Sequence, residues 1–336
     1  LTKKMPKINL GINGFGRIGR NLFRLLIDHP QINVVAINDL ADAKTLAHLL
    51  KYDSIHGIFN ASISAQENKL IVNGKTITVF NENHPSTIDW KSTAVNVVVE
   101  ATGKFKTRPE LEKHLKGSVN KVILSVPPQD DSIKMVVLGV NDNILDGSED
   151  IISNASCTTN NAAPMLKLIH ENFQVEQAYI TTVHSFTSDQ SLHDQPHRDL
   201  RRSRAATQSI IPTTTGAAKA LTSIFPDLND VIGGCGIRVP VPNGSLTDMT
   251  INVSKSTSIA AVNRIFKTAA ETSLKGILSY TEDPIVSKDI SGNTHSCVFD
   301  AQMTSVIDGK LIKLIGWYDN EIGYSSRLID LISTFY

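Results

Sequence analysis

The sequence predicts a two-domain α/β protein: a parallel sheet covered on both faces, then an α+β unit whose sheet is largely antiparallel. Three observations carry this expectation. The chain has 336 residues, more than the roughly 250 to 300 at which single hydrophobic cores stop growing. Its first half alternates short, nearly continuous apolar runs with amphipathic ones, the pattern of strands buried on both faces beneath crossover helices. Beyond about residue 157 the runs lengthen and alternate with a period of two, as in a sheet with one covered face.

The expected parallel strands, in order, are KINLGI (7–12), NVVAIN (33–38), NVVVEAT (96–102), KVILSV (121–126) and MVVLGV (135–140). Between the first two lies RIGRNLFRLLIDHP, with Ile18, Leu22, Leu25 and Leu26 at helical spacing and Pro30 beyond its end, which makes one βαβ unit. In the second half AYITTVHSF, GIRVPV, SLTDMTINVS and CVFDAQM read as antiparallel strands with helices on one side. An Asp308-Gly309 hairpin signal joins TSVI to KLIKLIGWY. The last segment, NEIGYSSRLIDLISTF, has Ile322, Leu328, Ile329 and Ile332 at near-helical spacing and is expected to pack back on the first domain.

Composition narrows the function. Thirty-three basic residues balance 33 acidic ones, so no global charge draws the chain to nucleic acid and small-molecule chemistry is favoured. Cys157, Cys235 and Cys297 lie far apart with no CxxC pair, which indicates neither a disulfide framework nor a structural zinc site, and suggests reduced thiols in the cytoplasm. No apolar run reaches the roughly 18 residues of a membrane span. LTKKMPK lacks the apolar core of a signal peptide, and Met5 before PKINLGING reads as a natural start, with Leu1 to Lys4 as an extension.

GFGRIG, Gly14 to Gly19, is a GxGxxG motif, weak by itself. Here it follows an expected strand and opens an expected helix whose N-terminus can hold phosphate, and Asp39 ends the second strand about twenty residues on. That context marks a Rossmann-type dinucleotide site, with Asp39 accepting hydrogen bonds from the adenosine ribose and repelling a 2′-phosphate, so NAD is favoured over NADP. The bland reading is an ordinary turn with Asp39 as a helix cap.

SNASCTTNNAAP (153–164) sets Cys157 among small polar residues before an expected helix. A cysteine is by default a small buried hydrophobe. A helix starting near Cys157 would instead place N–H groups and a positive dipole end beside the sulfur, which is expected to lower its pKa. His184, where AYITTVHSFTSDQ breaks into loop, is the expected base. His193 and His197 stand four apart as in zinc helices, but Pro196 between them forbids a helix interior and no metal is expected. PTTTGAAKA (212–220) offers hydroxyls and a glycine leading into a helix, a phosphate cradle or a simple N-cap. Arg238 in GIRVPV could supply a fixed charge, and HRDLRRSR (197–204) is a solvated loop rather than a nucleic-acid arm.

INGFGRIGRN, AINDL, HLLKYDSIHG, SNASCTTN, HSFTSDQ, DLRRSRAATQSIIPTTTGAAKA, RVPVPNGSLTD and WYDNEIGYSSR, in that order, resemble phosphorylating NAD-dependent glyceraldehyde-3-phosphate dehydrogenases over essentially the whole chain. The resemblance implies a cytoplasmic homotetramer of glycolysis and gluconeogenesis. Residues 1–156 and 320–336 would form the NAD-binding domain with the C-terminal helix, and 157–319 the catalytic domain. Cys157 would be the nucleophile and His184 its base. Gly14, Phe15, Gly16, Arg17, Ile18, Asp39, Ser125 and Asn320 would hold NAD, Asn320 at the nicotinamide carboxamide. Ser156, Thr158, Thr215 and Gly216 would bind inorganic phosphate; Thr187, Asp189 and Arg238 would bind the C3 phosphate of glyceraldehyde 3-phosphate. Leu40 and Pro196 match the NAD-preferring form, and the arginine loop would cross a subunit interface.

The chain departs from the family pattern twice. Asn161 stands where many members carry a second cysteine, so a disulfide there is impossible. Asn83, in NENHP, replaces a common arginine at the adenine edge. Two other readings are open on the sequence: erythrose-4-phosphate dehydrogenase, which usually lacks the TTTGAAK pattern, and a noncatalytic NAD-binding scaffold.

Overall fold

The computed structural model describes residues 7–335; the expected start at Met5 and the extension before it lie outside the described residues. The chain divides into two compact units. The first comprises the described part of Leu1–Val136, with Asn143–Ala155 and the described part of Ser325–Tyr336; the second comprises Val137–Asp142 and Ser156–Tyr324.

The first unit is built on a nine-stranded sheet in the order Ile63–Gln66, Lys69–Val72, Lys75–Phe80, Ile32–Asn38, Ile8–Asn13, Val97–Glu100, Lys121–Leu124, Ile151–Ser153, Lys134–Met135. From Lys75–Phe80 onward every pairing is parallel, and strands such as Val97–Glu100 are buried along their whole length. The antiparallel edge formed by Ile63–Gln66, Lys69–Val72 and Lys75–Phe80 was not foreseen: its strands are only four to six residues long, and the turn signal between the last two, Asn73-Gly74 with both residues left-handed, was missed. The run MVVLGV gives a strand only at Lys134–Met135. Beyond it Asn141 Oδ1 accepts the Val137 N–H (2.7 Å), Asp142 Oδ1 accepts that of Gly139 (3.0 Å), and Gly139 has φ +77°. Side-chain turns have replaced the ladder there. The final helix, Ile322–Ser333, forms as expected, and Phe335 beyond it lies 4.6 Å under the Lys121 ammonium.

The second unit carries an eight-stranded sheet ordered Ile211–Thr213, Ile232–Val239, Val175–Ser185, Ser245–Val253, Leu311–Tyr318, Cys297–Asp300, Leu278–Thr281, with Ser305–Ile307 also on Leu311–Tyr318. The expected hairpin is present, with Asp308 (φ 48°) and Gly309 (φ 67°) both left-handed. Along Ser245–Val253 every other residue is buried, the alternation of a sheet covered on one face. The cover includes helix Cys157–Phe173, whose Met165, Leu166 and Ile169 are almost wholly buried. Most pairings are antiparallel, but two are parallel. Val175–Ser185 runs parallel to Ile232–Val239 with His184 opposite Arg238, and Leu278–Thr281 runs parallel to Cys297–Asp300. The first of these exceptions builds the site described next.

Candidate active site

In the first unit the glycine loop turns directly off strand Ile8–Asn13 into helix Arg17–Leu26. Two of its glycines are required by the chain itself. A Cβ on Gly19 would lie 2.2 Å from the Gly14 carbonyl oxygen, and one on Gly14, at φ +91°, would meet the Thr102 nitrogen at 2.7 Å. Gly16 has nothing within 4 Å of such a Cβ, so the chain's own packing does not require a glycine there and the loop surface above it is open. This is what close passage of a pyrophosphate over the loop demands.

Phe15 and Asp39 are joined, the Phe15 N–H donating to Asp39 Oδ2 (2.7 Å), while the Phe15 ring turns inward against Phe23. Gly14, Gly16, Asp39, Leu40, Asn83 and Thr102 are among the residues lining a cleft of about 340 Å³. The Arg17 guanidinium is paired with Asp53, so what Arg17 and Ile18 offer a phosphate is the helix N-terminus rather than a free cation. Ser125 is buried just past strand Lys121–Leu124, its N–H on the Glu100 carbonyl (3.0 Å), and is not among the cleft-lining residues.

A buried polar network supports the strand ends below this cleft. Trp90 Nε1 donates to His114 Nδ1 (3.1 Å), which leaves the His114 proton on Nε2, donating to Glu100 Oε2 (3.1 Å). The same carboxylate accepts from Asn13 Nδ2 (2.5 Å) and, at Oε1, from the Thr102 N–H (2.9 Å); Asn38 Nδ2 in turn donates to Asn13 Oδ1 (2.7 Å). Nothing in the sequence alone joins Glu100 to His114.

In the second unit helix Cys157–Phe173 starts at the cysteine. Ser156 caps it, accepting the Thr159 N–H at Oγ (3.1 Å). Cys157 Sγ lies 3.5 Å from His184 Nε2, at the carboxyl end of strand Val175–Ser185. On the far side of the imidazole, Nδ1 is 2.7 Å from the Ser185 carbonyl and 2.7 Å from Arg238 Nη1, which also donates to that carbonyl (2.9 Å). Nδ1 can donate to the carbonyl or accept from the arginine. The first tautomer leaves a lone pair on Nε2 facing the sulfur, the form a base requires.

The electrostatics favour a neutral imidazole. Burial, and then the Arg238 charge, lower the His184 pKa to about 3. Cys157 is partly exposed as a residue, but loss of water around its sulfur pushes the thiol up. Arg238, the Thr158 hydroxyl and the N–H groups of Thr158 and Cys157 oppose this without reversing it. The sequence-based expectation of a lowered thiol pKa is therefore corrected for the chain by itself: the helix end is present, but desolvation outweighs it. What this arrangement can do chemically is pass the thiol proton to Nε2 as the sulfur attacks.

Around this pair the remaining residues take definite places. Thr158 Oγ1 and Thr182 Oγ1 both meet the buried Tyr318 hydroxyl, at 3.0 and 2.9 Å, and the Tyr318 ring stands edge-on to His184. Thr215 Oγ1 accepts the Ala217 N–H (3.2 Å) and Gly216 caps helix Ala217–Ile224. Thr187 donates its N–H to Gln190 Oε1 (3.3 Å). Asp189 accepts from Arg202 Nη1 (2.5 Å), whose Nε donates to Thr213 Oγ1 (2.9 Å) and Nη2 to the Thr214 carbonyl (3.2 Å). A carboxylate has no proton for a phosphate; what Asp189 meets is the Arg202 guanidinium. Arg202 was missed as an individual residue; the density of arginines in HRDLRRSR was a signal, but only the fold selects among them. Asn161 is buried, its Nδ2 on the carbonyls of Ser296 and Trp317 (both 3.3 Å). Among the described residues no cluster of His, Cys, Asp and Glu could hold a metal ion, and no helix is long and apolar enough to cross a membrane.

Comparison with known proteins bears on both units. Residues 8–108 match the model of the glyceraldehyde 3-phosphate dehydrogenase NAD binding domain, and residues 156–320 that of the glyceraldehyde 3-phosphate dehydrogenase C-terminal domain. The chain is 51% identical over 323 residues to glyceraldehyde-3-phosphate dehydrogenase 1 of Bacillus cereus, covering 96% of each. It is 51% identical over 325 residues to the glyceraldehyde-3-phosphate dehydrogenases of Geobacillus stearothermophilus and Thermotoga maritima, covering 96% of this chain and 97% of theirs. Agreement at half of all positions over nearly its whole length, in a protein whose glycine loop leaves room for a dinucleotide and whose one helix-end cysteine faces a histidine, means that the chain belongs to the glyceraldehyde-3-phosphate dehydrogenase family.

Proposed function

We infer that the chain catalyses oxidative phosphorylation of D-glyceraldehyde 3-phosphate, with NAD and inorganic phosphate, to 1,3-bisphosphoglycerate and NADH through a thioester on Cys157. The observation that carries this is the 3.5 Å approach of Cys157 Sγ to His184 Nε2, with the opposite ring nitrogen between a carbonyl and an arginine. NAD in the glycine-loop cleft supplies the hydride acceptor. The chain's own residues handle the substrate and the protons.

The Cys157 sulfur attacks the aldehyde carbon while its proton passes by way of His184 Nε2 to the carbonyl oxygen, giving a thiohemiacetal. As the carbon loses hydride, Nε2 takes the hydroxyl proton back, and a thioester remains. Phosphate then displaces the sulfur, and the acyl bond passes to phosphate instead of being lost to water. Arg238, which lowers the basicity of His184, is the proposed ligand of the C3 phosphate with Thr187. A dianion there would offset its charge and strengthen the base when substrate is bound. Ser156, Thr158, Thr215 and Gly216 form the proposed site for the attacking phosphate, and Asp189 is proposed to serve the C3 phosphate site by orienting Arg202.

We assign the first unit to NAD binding and the second to catalysis, and propose a cytoplasmic homotetramer. The half-buried sheet positions Val183 and Leu246 and the exposed Tyr179 supply apolar area a second copy would cover. The substrate assignment is tested by comparing turnover of glyceraldehyde 3-phosphate and erythrose 4-phosphate, each with and without inorganic phosphate. Turnover of the triose phosphate is expected to be faster and to depend on phosphate; faster oxidation of the tetrose would overturn the assignment.

A further inference from the structure

The second unit contains a buried hydroxyl pair that the mechanism above does not use. Ser185 and Ser245, 0% and 1% exposed, both donate to Asn320 Oδ1 at 2.9 Å. Ser245 Oγ also accepts the Ser185 N–H (3.1 Å) and lies 3.4 Å from Ser185 Oγ; its single proton goes to the amide oxygen, the shorter of its two donor contacts. The backbone leading into Asn320 is clamped as well. Asp319 Oδ1 accepts the N–H groups of Glu321 and Ile322, and its Oδ2 accepts the Gly292 N–H (2.8 Å) and Asn243 Nδ2 (2.9 Å).

A carboxamide has one acceptor and one amine with two donors. With both lone pairs of Oδ1 occupied, the side chain is held with its amine outward. Asn320 Nδ2 has no hydrogen-bond partner among the described residues and is not sealed from solvent. The Ser185 carbonyl is meanwhile the acceptor shared by His184 Nδ1 and Arg238 Nη1. One residue thus fixes the base through its main chain and the Asn320 amide through its side chain.

We propose that Ser185 and Ser245 are positioning residues for the cofactor: they fix the Asn320 amide so that Nδ2 presents its protons to the carbonyl of the nicotinamide carboxamide, in register with the base that Ser185 also holds. The proposal rests on the reading of Asn320 as the nicotinamide ligand. It gives the hydroxyls a role separable from that of the backbone, since alanine at 185 removes the contact to Asn320 and keeps the carbonyl that orients His184.

The test compares binding of NAD with that of ADP-ribose, which lacks the nicotinamide, by titration calorimetry on the full-length protein, its Ser185→Ala and Ser245→Ala variants, and Asn320→Ala. Loss of one buried hydrogen bond to an oriented amide is expected to weaken NAD about tenfold in both serine variants, with ADP-ribose binding and the pH dependence of Cys157 alkylation by iodoacetamide unchanged. A general structural role would weaken both ligands together and would overturn the proposal. If only Asn320→Ala discriminates between the ligands, the serines have no positioning role although Asn320 keeps its own. If no variant discriminates, the reading of Asn320 fails and the proposal fails with it. A variant that binds neither ligand is replaced by the corresponding Ser→Cys change, which preserves volume, and the same ratio decides.

Discussion

Cys157→Ser is expected to abolish dehydrogenase activity, by at least about a thousandfold, while NAD remains bound. The hydroxyl is nearly isosteric with the thiol but far less acidic and less polarizable, so a neutral imidazole cannot make it an adequate nucleophile toward an aldehyde in the same geometry. The substitution leaves the Ser156 cap and the Thr158–Tyr318 contact in place. The glycine loop, Asp39 and the cleft they line belong to the other unit. Rates of NADH formation and calorimetric titration with NAD check the two halves of this expectation; activity near that of the parent would remove the sulfur from the mechanism.

His184→Asn is expected to lower kcat by about 10²- to 10⁴-fold, the usual contribution of a positioned acid–base group, with a smaller change in the KM for NAD. The same substitution has a signature in stability. The folded-state pKa of His184 lies near 3, against an ordinary 6.5. As pH falls through about 6.5 the unfolded chain takes up a proton that the folded chain refuses until about 3. The parent therefore loses stability across that window, by at most about 1.4 kcal/mol per pH unit from this one group. Asparagine removes the term, so urea midpoints of the variant should fall less steeply between pH 6 and 4. An equal slope would mean that His184 is not held neutral by its surroundings.

What the sequence disclosed and what it withheld divide along a physical line. Local chemistry was legible. The helix that starts on Cys157 and the left-handed Asp308-Gly309 turn follow from steric and hydrogen-bonding needs within a few residues, and the glycines at 14, 16 and 19 with the acid at 39 were readable as a motif set between a strand and a helix. Juxtaposition across the chain was not. Arg238 meets His184 because two strands more than fifty residues apart pair in parallel, where alternation alone suggested antiparallel pairing; alternation reports which face is covered, not strand direction. Tyr318, Glu100 with His114, and Ser245 enter the story only through such pairings. The thiol pKa failed for a related reason: the helix end expected to lower it is present, but burial of the sulfur and of several neighbouring polar groups comes from the packing of the whole unit, which the local sequence does not show.

The central claim is that Cys157 holds the acyl group until inorganic phosphate collects it. Mixing the protein with NAD and glyceraldehyde 3-phosphate in the absence of phosphate tests this most directly. NADH is expected to appear as a burst of about one equivalent per chain, with the acyl adduct located on the Cys157 peptide by mass spectrometry, and added phosphate should then restore turnover. Steady oxidation at the full rate without phosphate, or an adduct on any other residue, would contradict it.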